Sequence, residues 1–231
     1  MSVPVRETAP VAPGAGRLGS VALGVHAAVI GFSLLAFTLA VGRTPPEWLP
    51  GDLWSRIYGL GMRFTGQAYI VAGFLAALGG WAAALGWRRA LRSVVLLVGL
   101  ALAAELLGTA TGWPFGPYAY GELLGYRIGG LVPWVIPLSW FTMTYAALAL
   151  ALRSWWGPVG TAAWTAWGLV AWDLLMDPAM SRALPFWSWG VEGIYFGTPL
   201  SNLGGWLLVG TVLGGVAVVV SRPGAMVLRR Q

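Results

Sequence analysis

The chain has no cysteine and no lysine, and a single histidine, His26. Those absences exclude disulfide frameworks, thiol nucleophiles, Cys-ligated zinc or iron–sulfur centres and a His-rich metal site. Charge is scarce too. The 14 basic residues, all arginine, and 8 acidic ones make up 10% of 231 residues, against roughly a quarter in soluble domains. Apolar residues fill the chain instead: 58% are hydrophobic and the mean hydropathy is +0.73. With 34 glycines and 15 prolines, the chain stays below the roughly 25–30% that marks low-complexity sequence. Such a composition has the bilayer as its solvent. At about 20 residues per crossing, six spans leave no room for a large extramembrane domain.

Apolar blocks run over Val21–Val41, Phe64–Leu85, Leu91–Leu107, Pro133–Leu152, Val159–Met176 and Leu203–Val220. The first is too long for the 7–15-residue core of a cleaved signal. The expected fold is therefore all-α and polytopic, with about six transmembrane helices, because helices and closed barrels alone satisfy their backbones in lipid. Residues 1–20 read as a poorly ordered tail, 21–220 as a single transmembrane domain and 221–231 as a basic cytoplasmic tail.

The net charge of +6 follows topology and not nucleic-acid binding, since the arginines fall between apolar blocks and form no basic stripe. With both termini cytoplasmic, Arg6, Arg17, Arg88, Arg89, Arg92, Arg153, Arg222, Arg229 and Arg230 lie inside. The smaller set Arg43, Arg56, Arg63, Arg127 and Arg182 lies outside, as the positive-inside rule requires. The expected location is the cytoplasmic (inner) membrane of a bacterium or archaeon. The outer connections, 42–63, 108–132 and 177–202, are the long ones; long loops carry function or lids. Short interfacial or re-entrant helices are possible additions there, in Glu47–Tyr58 and Pro185–Tyr195.

Counting from the outer ends puts Gln67, Glu105, Asp173 and Asn202 in one outer layer of the spans. A carboxylate at a span centre costs about 2.5–3.5 kcal/mol on insertion scales, so two of them with amides at one level define a candidate site. The competing reading is helix-to-helix hydrogen bonding alone. Asp173 and Asp177 are four apart and would share a helix face, but Pro178 disfavours helix at Asp177, which is expected to turn into the loop. DxxxD also suits a magnesium–diphosphate site, although Arg182 is the only basic residue nearby in sequence. Of the 15 tryptophans, Trp48, Trp54, Trp87, Trp155 and Trp156 fit an interfacial belt. Trp113, Trp134, Trp172, Trp187, Trp189 and Trp206 lie in or beside the acidic layer, where aromatic faces stabilise cations. His26 reads as a helix-contact residue towards the inner end of span one. Pro137, one turn into span four, would free the carbonyl near Pro133.

The segment Glu105-Leu-Leu-Gly-Thr-Ala-Thr-Gly-Trp-Pro-Phe-Gly-Pro-Tyr-Ala-Tyr120 resembles the signature of a membrane-bound carotenoid biosynthesis family. That family contains the 1',2'-hydratases acting on γ-carotene, lycopene and bisanhydrobacterioruberin. Val132–Trp140, Trp172–Pro178, Trp187–Trp189, Gly193–Tyr195, Gly197–Pro199 and Asn202–Trp206 agree in order, so the resemblance covers about residues 60–220. It implies cofactor-independent addition of water, with no metal, to the terminal isoprenoid double bond of an acyclic carotenoid entering from the bilayer. Such chemistry needs a protonated acid, and a carboxyl taken out of water keeps its proton more readily. Asp173 is the first candidate and Glu105 the second, with Asp177 or Glu105 as general base. Asn202, Tyr118, Tyr120, Tyr195 and Gln67 would orient water or substrate. Trp113, Phe115, Trp134, Trp140, Trp172, Trp187 and Trp189 would line the cation site. A cyclase or isomerase starting from the same protonation is the nearest alternative. A transporter or assembly factor for apolar molecules, or a magnesium-dependent prenyltransferase, belongs to other classes.

Overall fold

The computed structural model describes residues 14–40, 44, 47–153, 156–184 and 186–221. Most of the expected N-terminal tail, nearly all of the basic C-terminal tail and Trp155 lie outside these residues. Six long helices follow in order: α1 (Ala15–Ala40), α2 (Gly51–Leu85), α3 (Trp87–Thr111), α4 (Ile136–Ala151), α5 (Gly157–Pro178) and α6 (Leu200–Ser221). Each coincides with one of the six apolar blocks. α1, α2, α3 and α6 are long and apolar enough to cross a bilayer, whereas α4 has 16 residues and α5 carries two aspartates. The protein has the architecture of a helical membrane protein.

Several boundaries move from the sequence expectation for identifiable reasons. α1 starts at Ala15, six residues before the expected span, because 15–20 contains no proline to stop it. α2 extends back to Gly51 and reaches 35 residues, about 52 Å at 1.5 Å per residue. It thereby absorbs the segment from Gly51 to Tyr58 into a single long helix. α4 starts at Ile136, so Pro137 lies in its first turn. A proline there removes no intrahelical hydrogen bond, so Pro137 stands in the opening turn of α4 and not one turn into a span.

The connections after α3 and α5 contain short strand pairs, and within 185–195 a strand stands where a short helix was possible. β1 (Tyr118–Tyr120) pairs antiparallel with β4 (Trp187–Trp189), and β2 (Arg127–Ile128) with β3 (Val132–Pro133). A π-helical turn, Ala179–Ala183, continues α5.

α3, α4, α5 and α6 pack together, with α2 against α3 and α4, and α1 along α2. Small residues let α1 and α2 approach closely. A Cβ built on Gly79 would collide with the Gly19 backbone, and one on Gly80 with the Tyr145 hydroxyl. At the same contact the His26 Nδ1–H donates to the Tyr69 carbonyl at 2.8 Å, the helix-contact role expected of this histidine. Replacing Gly79 by leucine overpacks that contact. Thermal unfolding in detergent should fall by the equivalent of about 1–3 kcal/mol; an unchanged midpoint would show that α1 rides free of α2.

Candidate active site

Three helices bring four polar residues together at one end of the bundle. Glu105 lies near the C-terminal end of α3, Asp173 and Asp177 near that of α5, and Asn202 in the first turn of α6. All four are buried. On these helices the buried positions recur at helical spacing: Leu97, Ala101, Glu105 and Gly108 on α3, and Thr161, Thr165, Leu169, Asp173 and Asp177 on α5. The carboxylates thus end the inward stripe of each helix.

The lid over this stripe is the β1–β4 pair. Tyr118 faces Trp189 and Tyr120 faces Trp187, with Ala119 opposite Ser188. Side chains alternate across a strand, so Tyr-Ala-Tyr and Trp-Ser-Trp turn four aromatic rings inward and leave Ala119 and Ser188 exposed. Ring centroids are 5.4 Å apart for Tyr118–Trp189 and 6.1 Å for Tyr120–Trp187. Phe115 is wedged below them: a Cβ on Gly108 of α3 or on Gly205 of α6 would strike it. The half-open cavity beneath them has a volume of about 30 Å³. It is lined by Glu105, Phe115, Tyr118, Tyr120, Asp173, Asp177, Trp187, Trp189, Asn202 and Trp206. Such a space admits a water molecule.

The three carboxylates have different surroundings. Glu105 Oε2 accepts from the Tyr118 hydroxyl at 2.6 Å and the Tyr120 hydroxyl at 2.8 Å, and Oε1 from the Trp140 indole at 2.8 Å. Asp177 Oδ1 accepts from Trp187 Nε1 at 2.7 Å, while Oδ2 accepts from Trp189 Nε1 at 3.1 Å and from the Thr198 hydroxyl. A protonated carboxyl needs an acceptor for its own O–H, and both groups are met by donors. Both are arranged as carboxylates in charge-assisted hydrogen bonds. Asp173 differs. Its Oδ2 accepts from Asn202 Nδ2 at 2.7 Å, and its Oδ1 is buried without a partner. Among the described residues no arginine pairs with any of the three; the ion pairs are Arg127–Glu122 and Arg182–Glu192, in the connections after α3 and α5.

Asp177 stays helical, contrary to the turn expected from Pro178, and so shares a face with Asp173. Pro178 lacks the N–H that would bond the Leu174 carbonyl, and the Tyr195 hydroxyl donates to that carbonyl instead, at 2.9 Å. Tyr195 therefore mends the end of α5 and does not reach the cavity. Four other expected residues lie in the right layer but point elsewhere. Trp172 is 48% exposed, its indole directed at Met176 Sδ. It follows from Asp173 being inward, because adjacent helical residues point about 100° apart. Trp113 is exposed past the end of α3. The Trp134 indole donates to Gln67 Oε1 at 3.4 Å, and Gln67 Nε2 to the Arg63 carbonyl, so that pair ties the β3 loop to α2. Trp140 reaches the site through its hydrogen bond to Glu105 and stacks on Trp206 with centroids 4.0 Å apart. Thr198, missed in the sequence, comes from a bridged loop (Tyr195 with Thr198) that no helical spacing announces.

Burial and the Glu105 carboxylate push the Tyr118 and Tyr120 phenols well above their ordinary value of 10.0. Above that value the unfolded chain loses these protons while the folded protein keeps them. The stabilisation is full below pH 10 and is lost as pH climbs further. Unfolding midpoints measured across the alkaline range should fall from there, and less so in Tyr118→Phe/Tyr120→Phe.

A family model described as carotenoid biosynthesis protein matches residues 65–231. A bisanhydrobacterioruberin hydratase from Haloarcula japonica is 35% identical over 130 residues, 54% of this chain and 43% of that protein. The match thus spans less than half the length of that curated relative. No solved structure matches the chain. Every residue lining the cavity falls inside the family match. With the match running from α2 to the C-terminus, the chain belongs to the carotenoid biosynthesis protein family.

Proposed function

We propose that the protein is a carotenoid 1',2'-hydratase, adding water to the terminal isoprenoid double bond of an acyclic end of the γ-carotene or lycopene type. The observation that carries this reading is Asp173: a buried carboxyl with one unpaired oxygen, beside a cavity that admits water, between two carboxylates saturated by donors. Three buried carboxylates without a cation share protons as a unit. The one lacking donors is the natural holder of a proton.

In this mechanism the Asp173 O–H transfers its proton to the less substituted alkene carbon, and the π bond becomes the new C–H bond. The resulting tertiary cation, at the mouth of the cavity, is stabilised by the Glu105 and Asp177 charges and by the indole faces beside them. Water adds to the cation and gives up a proton. Glu105 and Asp177 have their lone pairs engaged, so the conjugate base of Asp173 is the better acceptor, and taking that proton restores the acid. Asn202 holds Asp173 in position through Oδ2. The sum is alkene plus water giving a tertiary alcohol, with no cofactor or metal called upon. Six spans with both termini cytoplasmic place this chemistry at the outer side of the inner membrane, supported by the arginine distribution.

Co-expression in a lycopene- or γ-carotene-producing bacterium tests the reading. The pigment should gain one water for each reacted end. A changed pigment of unaltered mass would replace the hydratase by a cyclase or isomerase, and an unchanged pigment with protein present would remove the enzyme reading.

A further inference from the structure

The acid cavity is too small to enclose the end group, which meets Asp173 at its mouth. At about 30 Å³ it holds water and no isoprenoid unit. A second, apolar space of about 230 Å³ lies at the same end of the bundle. One wall consists of Phe32 and Ala36 from α1 with Trp54, Ile57 and Gly61 from α2; the other consists of Met180, Leu184 and Phe186. The segment 177–189 thus separates the two spaces. Asp177, Trp187 and Trp189 face the cavity, and Met180, Leu184 and Phe186 face the groove. Part of that partition is the π-helical turn Ala179–Ala183, a local irregularity that often marks functional positions. The Phe186 carbonyl accepts from Gly121 N–H, beside the Tyr120–Trp187 pair.

From this arrangement we infer that the groove between α1, α2 and the 180–186 segment binds the apolar shaft of a linear polyene whose end reaches the Asp173 cavity past Phe186. The inference rests on the cavity being the acid site. The occupant follows from the lining, which is almost wholly hydrocarbon and aromatic, and from its place on the opposite face of the chain segment that lines that cavity. The two spaces also differ in origin. The cavity is built within residues 65–231, the span of the family match, whereas the α1 and α2 wall residues just named precede it. The groove thus joins wall residues from before the matched span to Met180, Leu184 and Phe186 from within it.

Gly61 allows a clean test. It is helical and lines the groove, and a Cβ added there would meet nothing within 4 Å, so a larger side chain starts free of backbone clash and extends into the groove. Full-length protein carrying Asp173→Asn, which stops turnover, is purified in detergent and loaded with lycopene. Bound polyene is read by its visible absorbance after size-exclusion chromatography. Asp173→Asn should bind as wild type, and adding Gly61→Trp should reduce bound polyene by about tenfold or more. Ala36→Trp, from the other helix, should do the same, with elution profile and unfolding midpoint checking the fold. Wild-type binding in both folded variants, or undiminished hydration in Gly61→Trp alone, overturns the groove. If wild type makes no alcohol yet Gly61→Trp still loses the polyene, the groove stands and the hydratase reading falls.

Discussion

Asp173→Asn should abolish alcohol formation, a loss of about 10²–10⁴-fold, the contribution of a positioned general acid, while the protein folds normally. The substitution is nearly isosteric. Its amide oxygen still accepts from Asn202, and its new N–H₂ occupies the place of the unpaired Oδ1 beside the cavity. It lacks a transferable proton and, after the first step, a carboxylate to take the proton from water. Product formation in membranes, with lycopene supplied, measures the effect. Turnover within a few fold of wild type would eliminate Asp173 as the acid.

The second large effect is on stability and separates shape from charge at Glu105. Glu105→Leu strands the hydroxyls of Tyr118 and Tyr120 and the indole of Trp140. Each buried orphan costs about 1–3 kcal/mol, so three of them together rival a whole domain's stability of about 5–15 kcal/mol. The leucine variant should fail to accumulate as monodisperse protein. Glu105→Gln keeps an acceptor for Trp140 and offers its amide N–H₂ to the tyrosine oxygens, so it should fold. With the negative charge gone, its hydration rate should fall by about tenfold or more. A well-folded Glu105→Leu would show that the three donors have other partners. A fully active Glu105→Gln would show that the charge does not act on the cation.

These two residues show how far the sequence could be read. In lipid the scarce signal is polarity, and depth along a span can be counted from its ends, so Glu105, Asp173 and Asn202 emerged at one level. Azimuth is harder. In a soluble protein the apolar stripe shows which side faces inward, but a helix apolar on every side carries no such contrast. Trp172, adjacent to Asp173, was assigned to the site by depth and points out instead. The azimuth is nevertheless encoded in the polar residues at multiples of four along α5, Thr161, Thr165, Asp173 and Asp177. Helix boundaries shifted where a proline could be read in two ways: Pro137 opens α4, and Pro178 is carried by a π turn with Tyr195 supplying the missing donor. The strand alternation of Tyr118, Tyr120, Trp187 and Trp189 pairs residues some 70 apart, and nothing local reports that pairing.

The donors around Glu105 and Asp177 are phenols, indoles and one threonine; no ammonium or guanidinium is among them. Dissolved ions screen exposed charges beyond about 8–10 Å at ordinary ionic strength and beyond about 3 Å at 1 M, but buried groups feel them far less. Arg127–Glu122 and Arg182–Glu192, at the surface, would loosen in concentrated brine. The carboxylate cages beneath them hold by uncharged hydrogen-bond donors, so the site is built to keep its geometry from fresh water to salt approaching saturation.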